Sequence, residues 1–205
     1  MKVFYAPGAS SLGIRILLEE IGAPYEAELL NVRAGEGRTP AFLAINPKGK
    51  IPTLMLDDGA VLTEFAAIAT YLGVTNMGAG LLPMDALLIA RIMEAMSYIA
   101  DTIHGKGFTR VFFPASFSAN PAEKDAVQAK GRQIITAGFD LLADSLGGQE
   151  YLAGEFSLAD AALFFITFWG KTHMKLALPA VIEAHYARML TRPAVQRAMQ
   201  AENLI

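Results

Sequence analysis

Residues 46–65 read NPKGKIPTLMLDDGAVLTEF, and their punctuation decides the fold. Ile51-Pro52 leads into Thr53–Leu56, a β-prone run. Asp57-Asp58-Gly59 then gives a hairpin turn, since an Asp-Gly pair suits a tight reversal that needs positive φ. Ala60–Leu62 is the returning strand, and Thr63 caps a helix over Glu64–Leu72. A strand that opens on proline has lost one ladder donor at its start, which places that proline at an edge or at a special turn.

The residues before this hairpin alternate strand and helix signals. Lys2–Tyr5 is a short strand stopped by Pro7-Gly8. Ser10 and Ser11 precede an apolar-periodic helix from Leu12, with Gly22 as its stop. Tyr25–Leu30 reads as a second strand and Arg33–Arg38 as a Gly-rich loop. Thr39-Pro40 caps a short helix over Ala41–Ile45. The order is β-α-β-α-β-β-α. Val74–Pro83 breaks the periodicity and reads as a linker. Beyond it every signal is helical. One long helix is expected over Met84–Ile103. Another is opened by Asn120-Pro121 and runs to about Leu146. A third starts with a capping-box-like Ser157–Asp160, a fourth opens at Pro179, and a last short helix follows Arg192-Pro193. The expected division is therefore an α/β domain at 1–76 and an all-α domain at 84–205.

Composition narrows the chemistry. The 205 residues carry 17 Lys and Arg against 20 Asp and Glu, a net charge of −3, so a broad nucleic-acid surface is not expected. The absence of cysteine removes disulfides, thiolate metal ligands and every cysteine nucleophile. His104, His173 and His185 are far apart, so no protein metal site is expected. Ala161–Gly170 is the longest strongly apolar stretch, far short of the ~20 residues of a membrane span. Pro7 and Gly8 sit where a signal peptide would need an apolar core. A cytoplasmic protein without membrane association is expected. No esterase elbow, Walker A loop or complete dinucleotide fingerprint occurs.

Three local features remain. Tyr5–Ser11 joins a strand to a helix N-terminus, where backbone N–H groups and the helix dipole favour an anion and a hydroxyl can lower a bound thiol's pKa. A serine there is equally an ordinary helix cap. At Ile51-Pro52 a cis bond would turn Ile51's N–H and C=O outward to a ligand's peptide backbone, whereas a trans bond would make Pro52 a plain edge-strand proline. Glu64 leads a helix, where it can bind an ammonium or simply complement the dipole. Together they offer an anion site, two backbone groups and a carboxylate at the edge of one four-stranded sheet. That combination suits a small zwitterionic peptide.

On MKVFYAPGASSL, FLAINPKGKIPTL, LTEFAAIATYL and FSLADAAL, in that order and spacing, the chain resembles the cytosolic glutathione S-transferase superfamily, most of all its bacterial beta class. The resemblance covers nearly the whole chain. It implies a thioredoxin-like N-terminal domain, a helical C-terminal domain that contributes an electrophile pocket, and a homodimer. It implies glutathione as co-substrate, bound through Ser11, Lys50, Ile51, Pro52, Glu64 and Phe65, with Ile51 pairing the cysteinyl backbone beside cis-Pro52. Glu64 and the Phe65 amide would receive the γ-glutamyl end. Ser157 and Asp160 would serve folding, not chemistry.

The departures from that family carry information. Ser10 stands where the beta class usually has cysteine, so exchange through the enzyme's own sulfur is not expected. Ser10 would donate a hydrogen bond to the glutathione thiolate instead, with Tyr5 and Ser11 as rival donors. Phe65 replaces a small or hydroxylated residue. The loop after the second strand offers Arg33 and Arg38 for the lysine expected to hold the glycyl carboxylate. His104 would face the active site, although Gly105-Lys106-Gly107-Phe108 is one residue longer than the usual pattern. Tyr98, Phe108, Phe112, Phe113 and Trp169 are the candidate pocket aromatics. The function implied is activation of the glutathione thiolate for attack on an apolar electrophile, a detoxification chemistry. The alternatives are a non-catalytic ligand-binding or interaction protein and a glutathione-dependent isomerase or lyase.

Overall fold

The computed structural model describes Met1–Ile205. In chain order its elements are β1 (Lys2–Tyr5), α1 (Ser11–Ile21), β2 (Glu26–Leu29), α2 (Pro40–Ile45), β3 (Thr53–Met55), β4 (Val61–Thr63) and α3 (Phe65–Thr75). The helical part follows with α4 (Ala86–Tyr98), a π-helical segment Ile99–Phe108, α5 (Thr109–Phe112), α6 (Lys124–Leu146), α7 (Leu158–Thr172), α8 (Ala180–Thr191) and α9 (Pro193–Ala201). The chain divides into two compact units, Met1–Pro83 with Arg188–Ile205, and Met84–Ala187. The sequence division drew the helical domain through to residue 205. In the structure the last stretch clusters with the first unit, because α9 packs on α1.

The first unit is thioredoxin-like, built on one mixed sheet of strand order β2-β1-β3-β4. β1 pairs parallel with β2 across the α1 crossover and antiparallel with β3, and β3 pairs antiparallel with β4. The hairpin turn closes as its residues require. Gly59 takes φ 86°, and Asp58 Oδ1 accepts the Ala60 N–H at 2.9 Å. Side chains alternate along β1. Phe4 meets Phe42 of α2 edge-on at 5.4 Å, with Leu30 and Met55 around it. Tyr5, pointing to the opposite face, lies under the Arg15 guanidinium of α1 at 4.5 Å. α1 packs against both α3 and α9, so Ser11–Leu18 are buried without a break. Leu12, Ile14, Ile16, Leu17 and Leu18 are all fully buried, at roughly 1.5–3 kcal/mol each. Gly22 ends α1 in the left-handed conformation, as its place after the last periodic residue predicts.

Thr39 accepts the Phe42 N–H with Pro40 at the first helical position, as expected of α2. The start of α3 differs from expectation. Thr63 stays in β4, and Glu64, at φ 72° and ψ 130°, takes the capping position before Phe65. The strand therefore turns into the helix within a single residue.

In the second unit the expected helix over Met84–Ile103 ends at Tyr98, and the chain continues in wider π turns through Gly105 and Gly107. Such widening accommodates an extra residue without breaking the rod. The π segment packs tightly on α6. A Cβ on Gly138 would stand 2.6 Å from Ile103, and one on Gly107 2.7 Å from Ile135. The apolar run in α7 is buried on every side. Asp160 fixes that helix. Its Oδ2 accepts the Ser157 N–H and hydroxyl, each at 2.9 Å, and its Oδ1 accepts the Leu152 N–H at 3.0 Å and faces His185 Nε2 of α8 at 3.0 Å. The capping box is complete with Asp in place of Glu or Gln. No helix is long and apolar enough to cross a membrane.

Candidate functional site

Register places the three sequence features in one row. Phe4 of β1 pairs with Thr53 of β3, and Thr53 pairs with Thr63 of β4. Each feature is the next residue off that row: Tyr5 after Phe4, Pro52 before Thr53, Glu64 after Thr63. Adjacent strands lie about 4.8 Å apart, so the row spans about 10 Å along one end of the sheet. That is a tripeptide's dimension.

The first component is the turn from Tyr5 to Ser11. The Ser11 hydroxyl reaches back to Ala6, accepting its N–H at 3.3 Å and facing its carbonyl at 3.4 Å, and Ser11 is fully buried. Ser11 is thus committed to the turn. Ser10 takes helical backbone angles at the capping position without a side-chain cap bond, and its hydroxyl has no hydrogen-bond partner in the protein. The turn is also held from the far end of the chain. Glu202, 2 % exposed, accepts the Gly8 N–H at 2.8 Å and faces Arg15 Nη1 at 3.4 Å. Burial pushes the Glu202 carboxyl up to about 7, against the opposing pull of the Gly8 N–H and the Arg15 charge.

The second component is the turn into β3. The Ile51–Pro52 bond is cis, and neither the N–H nor the C=O of Ile51 is used within the protein. Asn46, 1 % exposed, organises the approach. Its Nδ2 donates to the Lys50 carbonyl at 2.7 Å and to Thr53 Oγ1 at 2.9 Å, and its Oδ1 accepts the Lys48 N–H at 3.0 Å. The Thr53 hydroxyl donates to that same Lys50 carbonyl at 2.9 Å. With its carbonyl engaged inward, Lys50 leaves an exposed side chain. Gly49, at φ 63°, lets the Arg38 side chain lie across it; a Cβ there would stand 3.1 Å from Arg38 Nη1. Of the two loop arginines, Arg38 is therefore beside this turn.

The third component is Glu64-Phe65. Glu64 is a non-glycine residue at positive φ, a conformation that costs of order 1 kcal/mol or more and that persists where the surroundings impose it. Its carboxylate is exposed and accepts from Lys48 Nζ at 2.8 Å, and Lys48 also donates to the Thr63 hydroxyl at 2.8 Å. Phe65 is buried as the first residue of α3, so it offers that helix end a backbone N–H and no side-chain donor.

His104 belongs to the second unit. It lies within the π segment, half-buried, its ring 5.0 Å from Trp169 and 5.7 Å from Phe165. Phe108 and Phe112 close on Trp169 at 5.3 and 5.6 Å. Among the five candidate pocket aromatics, these three form one cluster with His104. Tyr98 instead lines a separate groove of about 590 Å³ with Leu88, Leu141 and Leu152, and Phe113 is 62 % exposed.

Comparison with known proteins decides the family. Residues 9–75 match the family model for the glutathione S-transferase N-terminal domain, and residues 99–193 match that for the C-terminal domain. The chain belongs to the glutathione S-transferase family. Its enzyme class is that of the glutathione transferases. Over 212 aligned residues it is 36 % identical to glutathione S-transferase GstA of Escherichia coli O157:H7, each covering the whole of the other. A bacterial beta class glutathione S-transferase from Sphingomonas chungbukensis is 32 % identical, with a TM-score of 0.87 and full coverage of both chains. A glutathione transferase homolog from Sulfitobacter, solved with bound glutathione, is 28 % identical with a TM-score of 0.90, covering 100 % of this chain and 98 % of its own.

For a glutathione S-transferase, the sequence reading omitted several residues that shape the site. Asn46 reads in sequence only as a turn residue, yet it locks the backbone ahead of Pro52. Glu202 lies 194 residues from Gly8, and no local pattern announces their contact. Lys48 has a signal, a cation in the same turn as Lys50, but only the fold brings it onto Glu64.

Proposed function

We propose that this glutathione transferase binds glutathione along the row Tyr5–Pro52–Glu64 and ionises its thiol with the Ser10 hydroxyl. The observation that carries this reading is the Ser10 hydroxyl, which stands at the start of α1 with no hydrogen-bond partner, while the Tyr5 ring lies beneath the Arg15 guanidinium on the other side of the turn. Ser11 is occupied with Ala6. A free thiol with pKa ~8.5 is mostly protonated at neutral pH, and the thiolate is the nucleophile. A donor fixed at a helix N-terminus stabilises that anion without reorganising. Ile51 would pair with the cysteinyl backbone through its unused N–H and C=O. Glu64 would take the γ-glutamyl ammonium, the Phe65 amide its carboxylate, and Arg38 the glycyl carboxylate, with Lys50 at the rim.

In this reading the sulfur attacks an apolar electrophile by addition or substitution. Within the second unit, the His104, Phe108, Phe112 and Trp169 cluster offers ring faces suited to a flat apolar group. A homodimer in the cytoplasm, acting in detoxification, completes the proposal. Isothermal calorimetry with glutathione, followed by turnover on a panel of aromatic halides, epoxides and α,β-unsaturated carbonyls, tests it. Binding with conjugation is the expected result. No binding at millimolar glutathione would favour a non-catalytic protein, and binding with isomerised or eliminated products would favour a lyase or isomerase.

A further inference from the structure

The amino-acid head of a γ-glutamyl group carries an ammonium and a carboxylate on one carbon. A site that reads both charges needs an anion and a cation side by side. Glu64 and Lys48 are such a pair, 2.8 Å apart, with the Thr63 hydroxyl on the same ammonium at 2.8 Å. Both side chains are more than half exposed, so the pair is open to a ligand, and exposed ion pairs are weak enough to be opened by one. Both are nevertheless aimed from fixed backbone. Glu64 is held at φ 72° between β4 and α3, and the Lys48 N–H is bound by the buried Asn46. The helix end beyond Glu64 has no side-chain donor, because Phe65 is buried hydrocarbon.

We propose that Lys48 binds the α-carboxylate of the γ-glutamyl head while Glu64 binds its ammonium, so that the two form one zwitterion-reading dyad. The proposal rests on the glutathione reading above and adds to it the residue that replaces a missing hydroxyl at Phe65. On binding, the Lys48–Glu64 contact opens and each partner exchanges one exposed ion pair for a charge-assisted bond to the ligand. The dyad then selects peptides whose N-terminal residue keeps both charges.

The test is calorimetry of the wild type, Lys48→Met and Lys48→Arg with two peptides. One is glutathione. The other is 4-aminobutyryl-cysteinyl-glycine, which keeps the amine and lacks the α-carboxylate. Lys48→Met is expected to weaken glutathione binding about tenfold or more, while Lys48→Arg retains most of it. The analogue is expected to bind Lys48→Met as well as the wild type or better, because in the wild type its amine must take Glu64 from Lys48 with no carboxylate to offer in return. Tighter or unchanged glutathione binding by Lys48→Met would overturn the proposal, since Lys48 would then compete for Glu64 or stand idle. An equal loss for both peptides would overturn it too. If the wild type takes neither peptide, the glutathione reading itself falls and the dyad with it; if the wild type binds glutathione and Lys48→Met binds it as well, only the dyad falls.

Discussion

Replacing Glu202 by glutamine should remove a pH dependence of stability that the buried carboxylate creates. Glu202 is enclosed between Gly8 and Arg15, and burial raises its carboxyl from the ordinary 4.5 to about 7. Two groups favour the ionised form, the Gly8 N–H at 2.8 Å and the Arg15 guanidinium at 3.4 Å. The guanidinium is divided, since its Nε also donates to the Tyr25 hydroxyl at 3.4 Å. The sign follows from proton counting. Below about pH 4.5 the group is protonated in both folded and unfolded chains. Between there and about pH 7 the folded chain keeps a proton that the unfolded chain has lost, so stability falls as pH rises. At about 1.4 kcal/mol per pH unit the loss is of order 3 kcal/mol, complete by about pH 8. Urea unfolding of wild type and Glu202→Gln at intervals from pH 4.5 to 8.5 measures it. The wild type should lose about that much relative to the variant across the window. A constant difference between the two, or a wild type that gains on the variant as pH rises, would refute the reasoning, because it would mean that Arg15 outweighs burial.

Two further changes probe the second unit. Asp160→Ala should cost at least about 3 kcal/mol by chemical denaturation, since it strips the acceptor from Ser157, Leu152 and His185 in a site with no exposure; a loss below about 1 kcal/mol would contradict this. Gly138→Ala should destabilise by roughly 1–3 kcal/mol despite its better helix propensity, because the new methyl meets Ile103 at 2.6 Å, and a thermal midpoint equal to wild type would contradict it.

The legible parts of this chain were those whose signals are local. Asp57-Asp58-Gly59 announces a hairpin, Thr39-Pro40 a capped helix, Gly22 a helix stop, and Ser157–Asp160 a capping box. In each case a few adjacent residues fix the backbone by sterics or by their own hydrogen bonds. At Ile51-Pro52 the residues alone leave cis and trans open, and the structure has the cis bond. The candidate turn, proline and acid could each be named, and the sheet register then aligns them. What sequence could not give depends on packing at a distance. Thr63 reads as the better cap, yet the β3 ladder keeps it in the strand and hands the cap to Glu64. The π segment sets Ile103 and Gly107 against Gly138 and Ile135 of α6, a fit that periodicity within one helix does not register. Glu202 and Gly8 meet only because α9 returns to α1.

The most direct test of thiol activation by Ser10 is the pKa of the glutathione sulfur while bound, followed by thiolate absorbance against pH in the wild type and in Ser10→Ala. The bound thiol should titrate well below its free value of about 8.5 in the wild type and return toward that value in Ser10→Ala, with glutathione still bound. A bound thiol that titrates like free glutathione in the wild type, or one that stays depressed after Ser10→Ala, would contradict it.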